Sequence, residues 1–340
     1  MKQRSDGRWA KKKKINGKEV FFYSSAKTER LAIKDIENQV INYMSQDFEE
    51  KHNFKNLGEK MLVQKEKTVS YNTLKGYKEI FAKLNVFYDK DIESITIAEV
   101  QNLLYEYNEK GFSKSIISKI KIVLGLIFKY AISEGINITD FSSVLIVPKN
   151  AKVNKRTPLT EEEIKIVTNN VDNEFGLYPY MLLYTGLRRG ELLALKYEDI
   201  DFDNNIIKVN KSVEFIYNQP RLKLPKSAAG IRTVPLMDIL KKHLLPKANN
   251  KGFIFGGDNL FTSEMIKKRW AKYCKETGLT ATQHQFRHTF ATILYRAGVD
   301  PKTSQLILGH ADFQTTMNIY THIAASMQNS ALNKLNNLEI

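Results

Sequence analysis

The chain has 340 residues, 42% of them hydrophobic, a formal net charge of +15 and a single cysteine, Cys274. That length allows two or three domains with real cores, the charge points to a polyanionic partner, and a lone cysteine excludes an internal disulfide and suits a reducing compartment. No apolar run reaches the roughly 18 residues of a membrane span, Met1-Lys2-Gln3-Arg4 has no signal-peptide apolar stretch, and no Gly-x-x-x-x-Gly-Lys phosphate loop occurs, so a soluble, cytoplasmic protein that does not use ATP is expected.

In chain order, the first element is a hairpin. Arg8 to Lys14 and Lys18 to Tyr23 flank Ile15-Asn16-Gly17, and Asn-Gly supplies the positive φ angles that a tight hairpin turn needs. A helix follows, with Leu31, Ile33, Ile36, Val40 and Ile41 expected on one apolar face. Residues 1–46 hold eleven Lys or Arg against five Asp or Glu, so a lysine-edged sheet backed by one helix suits DNA docking.

Residues 54–148 read as helices. Tyr71, Leu74, Tyr77, Phe81, Leu84 and Tyr88 form a core stripe of helical period, and Thr96-Ile97-Ala98-Glu99 is a capping box. Ser113 to Glu134 gives a longer helix closed by Gly135, with Lys114, Lys119, Lys121 and Lys129 around it as candidate phosphate contacts. Residues 149–158, with few apolar anchors and Lys149, Lys152, Lys155 and Arg156, read as a basic strap along a phosphate backbone. Thr160 to Glu163 is a second capping box and opens the last domain, 159–340, where 206–209 and 233–236 are strand candidates.

The chemistry-bearing residues lie in that domain. Arg188 and Arg189 follow Gly186 at a helix start, with Glu191 in i,i+3 reach of Arg188. His284 and Arg287 share a face at the start of a helix, beside the positive end of its dipole. His310 follows in Leu308-Gly309-His310, after a helix begun by Asp300-Pro301, and Tyr320 comes ten residues later. Arginine stays protonated and offers a planar fork to phosphate oxygens, and histidine passes protons near neutrality. A tyrosine hydroxyl, with a pKa of about 10, becomes a nucleophile only in a strongly positive site. Singly, Arg188 would be an ordinary helix-start ion pair and Tyr320 a packed aromatic; together the set is what tyrosine attack on a phosphodiester requires. Metal is not expected. His284 and His288 have the spacing of a zinc helix, but Gln285 stands where a glutamate base is needed and Arg287 would repel a cation. Asp199, Asp201 and Asp203 fail as a calcium loop, with Asn204 at the glycine position and Asn210 at the closing one.

In the order Arg188, Lys226, His284-x-x-Arg287, His310, Tyr320, the chain resembles the tyrosine recombinase (phage integrase) family, of the arm-binding type found in temperate phages and integrative or conjugative elements. The resemblance implies a multidomain, mainly α fold with small β-sheets (α+β): a ββα-like arm-type DNA-binding domain at 1–46, a helical, SAM-like core-binding domain at 54–148, the basic linker 149–158, and a catalytic domain with its tail at 159–340. It implies that Tyr320 forms a 3′-phosphotyrosyl link, that Arg188, Arg287 and His310 bind the nonbridging oxygens, that His284 supports proton transfer and Glu191 supports Arg188, and that Lys226 protonates the leaving 5′ oxygen. The family pattern Thr-Gly-x-Arg-x-x-Glu gives the role to Arg188 over Arg189. Lys226 lies in 222–236, read as a mobile β-hairpin, and Lys223 is its rival until the register is known. DNA contacts are expected from Arg8, Lys11, Lys12, Lys13, Lys14, Lys18, Lys149, Lys152, Lys155 and Arg156. Implied partners are double-stranded DNA at core and arm attachment sites, three further copies in a homotetramer, and an accessory DNA-bending protein or excisionase at the bacterial nucleoid. One phosphodiester replaces another, so no cofactor is required. A type IB topoisomerase would share the site but not join two duplexes, and the module at 1–46 favours an integrase. A helix-turn-helix regulator over Ala297 to Tyr320 would leave the Arg, Lys and His set without purpose.

Overall fold

The computed structural model describes residues 1–15, 18–153, 157–225, 228–321 and 323–324, with only the backbone at 18 and 46–50. It divides into two compact units, Met1–Asn154 and Lys155–Ile340. The expected turn at Asn16-Gly17 and the candidates Lys155, Arg156 and Lys226 lie outside the described residues, as does the side chain of Lys18.

The first unit opens with an antiparallel sheet, β1 (Lys2–Gln3), β2 (Trp9–Ile15) and β3 (Lys18–Ser24), in that spatial order. Helix α1 (Glu29–His52) covers one face. Alternation along the strands fixes which residues meet it: Ile15, Val20 and Phe22 pack with Ile36 and Val40 in a small core. The expected apolar face of α1 is therefore corrected. Ala32, Ile36 and Val40 are buried one turn apart, whereas Leu31, Ile33 and Ile41 are exposed, because so narrow a sheet covers a single i, i+4, i+8 ridge. The lysine run splits in the same way. The register sets Lys12 opposite Phe21 and Lys14 opposite Glu19 on the outward face, while Lys11 and Lys13 alternate onto the α1 side and are half-buried.

Asn53 ends α1 and caps α2 (Phe54–Glu66), its side chain accepting from the Asn56 N–H. Helices α3 (Tyr71–Phe81), α4 (Ile97–Glu109) and α5 (Lys114–Ser133) complete a bundle. Its core joins Phe54, Leu84, Leu104, Ile120, Leu124 and Phe128. The capping box at Thr96 forms as expected. Lys121 is no free phosphate contact, since its ammonium donates to the Leu145 carbonyl. The start of the linker is likewise better anchored than its composition suggests: Ala151 is buried in the bundle core, and the Lys152 carbonyl accepts from the Lys114 N–H.

The second unit begins with α6 (Glu161–Asn169), whose Thr160 capping box forms, then α7 (Leu177–Thr185) and α8 (Arg189–Ala194). Strands β4 (Ile200–Asp201) and β5 (Ile206–Val209) follow, then β6 (Ser212–Ile216), β7 (Gln219–Lys223) and β8 (Arg232–Pro235). Among the described residues, the hairpin expected over 222–236 does not form. β7 pairs back onto β6, whereas β8 pairs with β5 in a separate sheet, so Lys223 and Arg232 end different ladders. Helices α9 (Asp238–Leu244), α10 (Ser263–Thr277), α11 (Gln283–Arg296) and α12 (Pro301–Leu308) complete the unit with a helical stretch, α13, at 313–321. The α7 helix runs through the core, with Tyr178, Met181 and Leu183 fully buried. Among the described residues no helix is long and apolar enough to cross a membrane, and none form a cluster able to hold a metal ion.

Candidate active site

Two glycine turns build the site. Gly186 ends α7 at φ 61°, where a side chain would strike the Phe290 ring at 2.3 Å. Gly309 ends α12 at φ 68°, where a Cβ would lie 2.8 Å from the Ala229 carbonyl and 2.9 Å from Arg232. Both need glycine on two counts, the left-handed backbone and the close approach. The carbonyls exposed where these helices end are then taken by arginines.

Arg287 donates to the Gly186 carbonyl at 2.9 Å and the Leu308 carbonyl at 2.5 Å. Arg188, the cap residue before α8, donates to the Gly309 carbonyl at 2.9 Å and to Glu191 at 2.8 Å. A third arginine, Arg232, completes the group; its Nε donates to Ile307 O at 2.7 Å and its Nη2 to Glu191 Oε2 at 2.9 Å. Helix C-terminal carbonyls carry partial negative charge, so they suit guanidinium donors. Burial alone would raise the Glu191 carboxyl, yet hydrogen bonding and charge from Arg232, with the N–H and charge of Arg188, hold it below the usual carboxylate range. Burial, then the neighbouring charges of Arg188 and Arg232, lowers Arg287 to about 9. The site is thus short of negative charge.

His310 follows Gly309 directly and is 9% exposed. Burial first, then Arg287, Arg188 and Arg232, depresses it to about 4, so the ring is neutral at pH 7. Its Nδ1 lies 2.9 Å from the Thr316 hydroxyl. If that hydroxyl donates, Nε2 keeps its proton and can donate to an oxyanion. His284 is exposed on the first turn of α11, where Phe286 and Phe290 take the buried face. It lines a concavity of about 680 Å³ with Arg188, Arg287, Trp270 and Cys274. Arg189 also borders this concavity, with its guanidinium 5.3 Å over the Phe215 ring.

Of the expected residues, Arg188, Glu191, Arg287 and His310 come together through shared partners, with His284 beside them. Tyr320 does not join them. It is 6% exposed, its hydroxyl donates to the Val299 carbonyl at 2.9 Å and pairs with Ser304 Oγ, and Tyr295 packs against its ring. Burial raises its pKa, so it is a phenol here. Lys223, the rival of Lys226, is held at 2.5 Å by Glu214. Arg232 and Thr316 were not singled out in the sequence. A signal for Arg232 exists: it shares the inward phase of β8 with Val234 and Leu236, which are 0% and 3% exposed, and a cation on a core phase implies a buried partner.

The chain is similar to known proteins in sequence and in fold. A profile of the phage integrase family matches residues 155–327. The chain is 28% identical to a XerC-like tyrosine recombinase of Caldanaerobacter subterraneus subsp. tengcongensis, over 94% of this chain and 92% of that one. It is 30% identical to the ICEBs1 integrase of Bacillus subtilis, over 74% and 73%. A Tn1549 transposon integrase solved with transposon right end DNA superposes with a TM-score of 0.64 at 24% identity, covering 84% of this chain and 99% of that one.

Proposed function

The chain belongs to the phage integrase family and is a tyrosine recombinase, a site-specific recombinase of phages or mobile elements; on that premise we propose which of its residues carry the reaction and on what substrate. The substrate is double-stranded DNA. Arg188 and Arg287 hold the nonbridging oxygens of the scissile phosphate, and the Nε2–H of His310 adds a neutral donor. The observation that carries this reading is the convergence of two arginines and a neutral histidine on the Leu308–Gly309 turn. Donors placed in advance, where charge grows during attack, are the largest source of catalysis in such sites.

Tyr320 Oη then bonds to phosphorus as the bond to the 5′ oxygen breaks. His284 takes the phenol proton, and Lys226 supplies one to the leaving oxygen; the engagement of Lys223 by Glu214 favours Lys226. The reverse sequence, with a 5′-hydroxyl from another strand, rejoins the DNA and conserves the bond energy. For attack, Tyr320 must first give up Val299 and Ser304. Two duplexes have four strands and each chain has one such nucleophile, so a full exchange uses four protomers. Residues 1–46 dock a second DNA segment, 54–148 grips the core site, 149–158 follows the backbone and 159–340 cuts. An accessory DNA-bending protein or excisionase, and a place at the bacterial nucleoid, complete the proposal.

Tyr320→Phe tests the nucleophile: covalent protein–DNA adducts should vanish while site binding stays within about 1 kcal/mol, the scale of one modest contact. Adducts that persist would move the role to another tyrosine. For Lys226, a substrate with sulfur in place of the bridging 5′ oxygen needs little protonation of its leaving group. Lys226→Ala should recover cleavage there and Arg188→Ala should not; recovery by Lys223→Ala instead would exchange the two lysines.

A further inference from the structure

Arg232 is the one member of the arginine group that does not line the concavity of Arg188, His284 and Arg287. Its side chain is only 6% exposed, and its partner Glu191 only 5%. A guanidinium buried this deeply is held by several bonds or not at all. Here Nη1 and Nη2 reach Glu191 Oε1 and Oε2 at 3.2 and 2.9 Å, Nε donates to Ile307 O at 2.7 Å, and Nη1 also reaches Gly230 O at 3.3 Å. The Gly309 Cα approaches so closely that a methyl there would lie 2.9 Å from Arg232 Nε.

These contacts touch both things that orient the phosphate-binding groups. Glu191 carries Arg188, accepting from its N–H at 2.9 Å and its Nη1 at 2.8 Å. The Ile307–Gly309 turn supplies the carbonyls for Arg287 and Arg188 and leads directly into His310. We propose that Arg232 is a positioning residue for strand cleavage: by sharing Glu191 with Arg188 and bracing the turn at 307–309, it sets the fork of Arg188 and the His310 ring around the scissile phosphate. Without it, the whole charge of Glu191 falls on Arg188 and draws that guanidinium toward the carboxylate, away from the substrate. A lysine could not replace it, because one ammonium cannot span Glu191 and Ile307 as the planar fork does. The inference rests on the assignment of Arg188 to the phosphate.

The test is single-turnover formation of the covalent adduct by the full chain on a nicked duplex carrying its core site. The scissile link is either an ordinary phosphate or a methylphosphonate, whose missing negative charge lowers the demand for cationic partners. Arg232→Gln should slow cleavage of the phosphate about 10²-fold, as misplacement of reacting groups by an ångström does, with the half-saturating protein concentration little changed. Methylphosphonate should erase most of that deficit, as for Arg188→Ala. Adding Glu191→Gln to Arg232→Gln should slow the reaction no further, since the two act as one unit. An equal deficit on both substrates, a multiplicative double variant, or a fully active Arg232→Lys would each overturn the proposal. If Arg232→Gln does not fold, Arg232→Lys on the two substrates separates the same outcomes. Rescue of Arg188→Ala alone removes the role of Arg232 and leaves that of Arg188 standing; rescue of neither removes the phosphate assignment itself.

Discussion

His310 shows how one side chain records the field of its surroundings. Held near 4 by burial and by three arginines, it refuses a proton that the unfolded chain takes at about 6.5. Between those values the unfolded state binds more protons, so stability is complete above about pH 6.5 and is lost as pH falls toward 4. The difference amounts to roughly 3 kcal/mol. Melting curves of the protein and of His310→Asn should therefore converge as the pH is lowered across that window, after allowance for the carboxylates common to both. Parallel curves would mean an ordinary histidine. Part of this scale was legible in the sequence: a spacing of three on one helix puts His284 and Arg287 beside one concavity, and Gly186 and Gly309 mark the turns that carry Arg188 and His310, whereas Tyr320 packs away from them on Val299 and Ser304. Arg232 and Thr316 were not, since their partners at Glu191 and His310 depend on strand pairing and on the path of the chain after Gly309.

Secondary-structure elements add phase, which a run of identical residues conceals. Four consecutive lysines in β2 look like one basic patch, yet alternation leaves Lys12 and Lys14 outward, opposite Phe21 and Glu19, and turns Lys11 and Lys13 toward α1. If this face docks on DNA, Lys12→Gln with Lys14→Gln should flatten the salt dependence of binding by an isolated 1–52 fragment, by up to about 0.9 for each phosphate no longer neutralised. Lys11→Gln with Lys13→Gln should flatten it by less. Equal effects from both pairs would show that the sheet face does not matter. The same phase logic explains the misassigned face of α1, where several spacings fit the sequence and only the narrow sheet selects 32, 36 and 40. The expected hairpin over 222–236 failed for a related reason: two strand-like runs close in sequence each had a better partner elsewhere, in β6 and β5.

At the scale of the molecule, apolar clusters mark what can be removed. The cluster of Ile15, Phe22, Ile36 and Val40 is separate from that of the helical bundle, and the second unit has its own. Deleting residues 1–46 should therefore leave cleavage of an isolated core site intact. It should weaken joining that needs a second DNA contact, because a tethered contact raises avidity by about 10²–10⁴ when the span allows. Loss of core-site cleavage in that truncation would count against the division of labour proposed for the chain. The expected edge at 46 falls inside a helix: α1 continues to His52, since nothing in the sequence before Asn53 stops a helix.

The arginines around Gly309 are held from behind by five main-chain carbonyls, those of Gly186, Gly230, Ile307, Leu308 and Gly309. A carboxylate in any of those places would be a rival that an arriving phosphate had to displace. A carbonyl is none, because it orients a cation without neutralising it. Three guanidinium groups share the charge of Glu191 alone among these contacts, and the surplus stays in the folded chain as an unanswered positive field. On the proposed reading the scissile phosphate would answer it, in the way that a missing side chain would complete a core, and bound DNA would then raise the stability of the folded chain as well as serve as substrate.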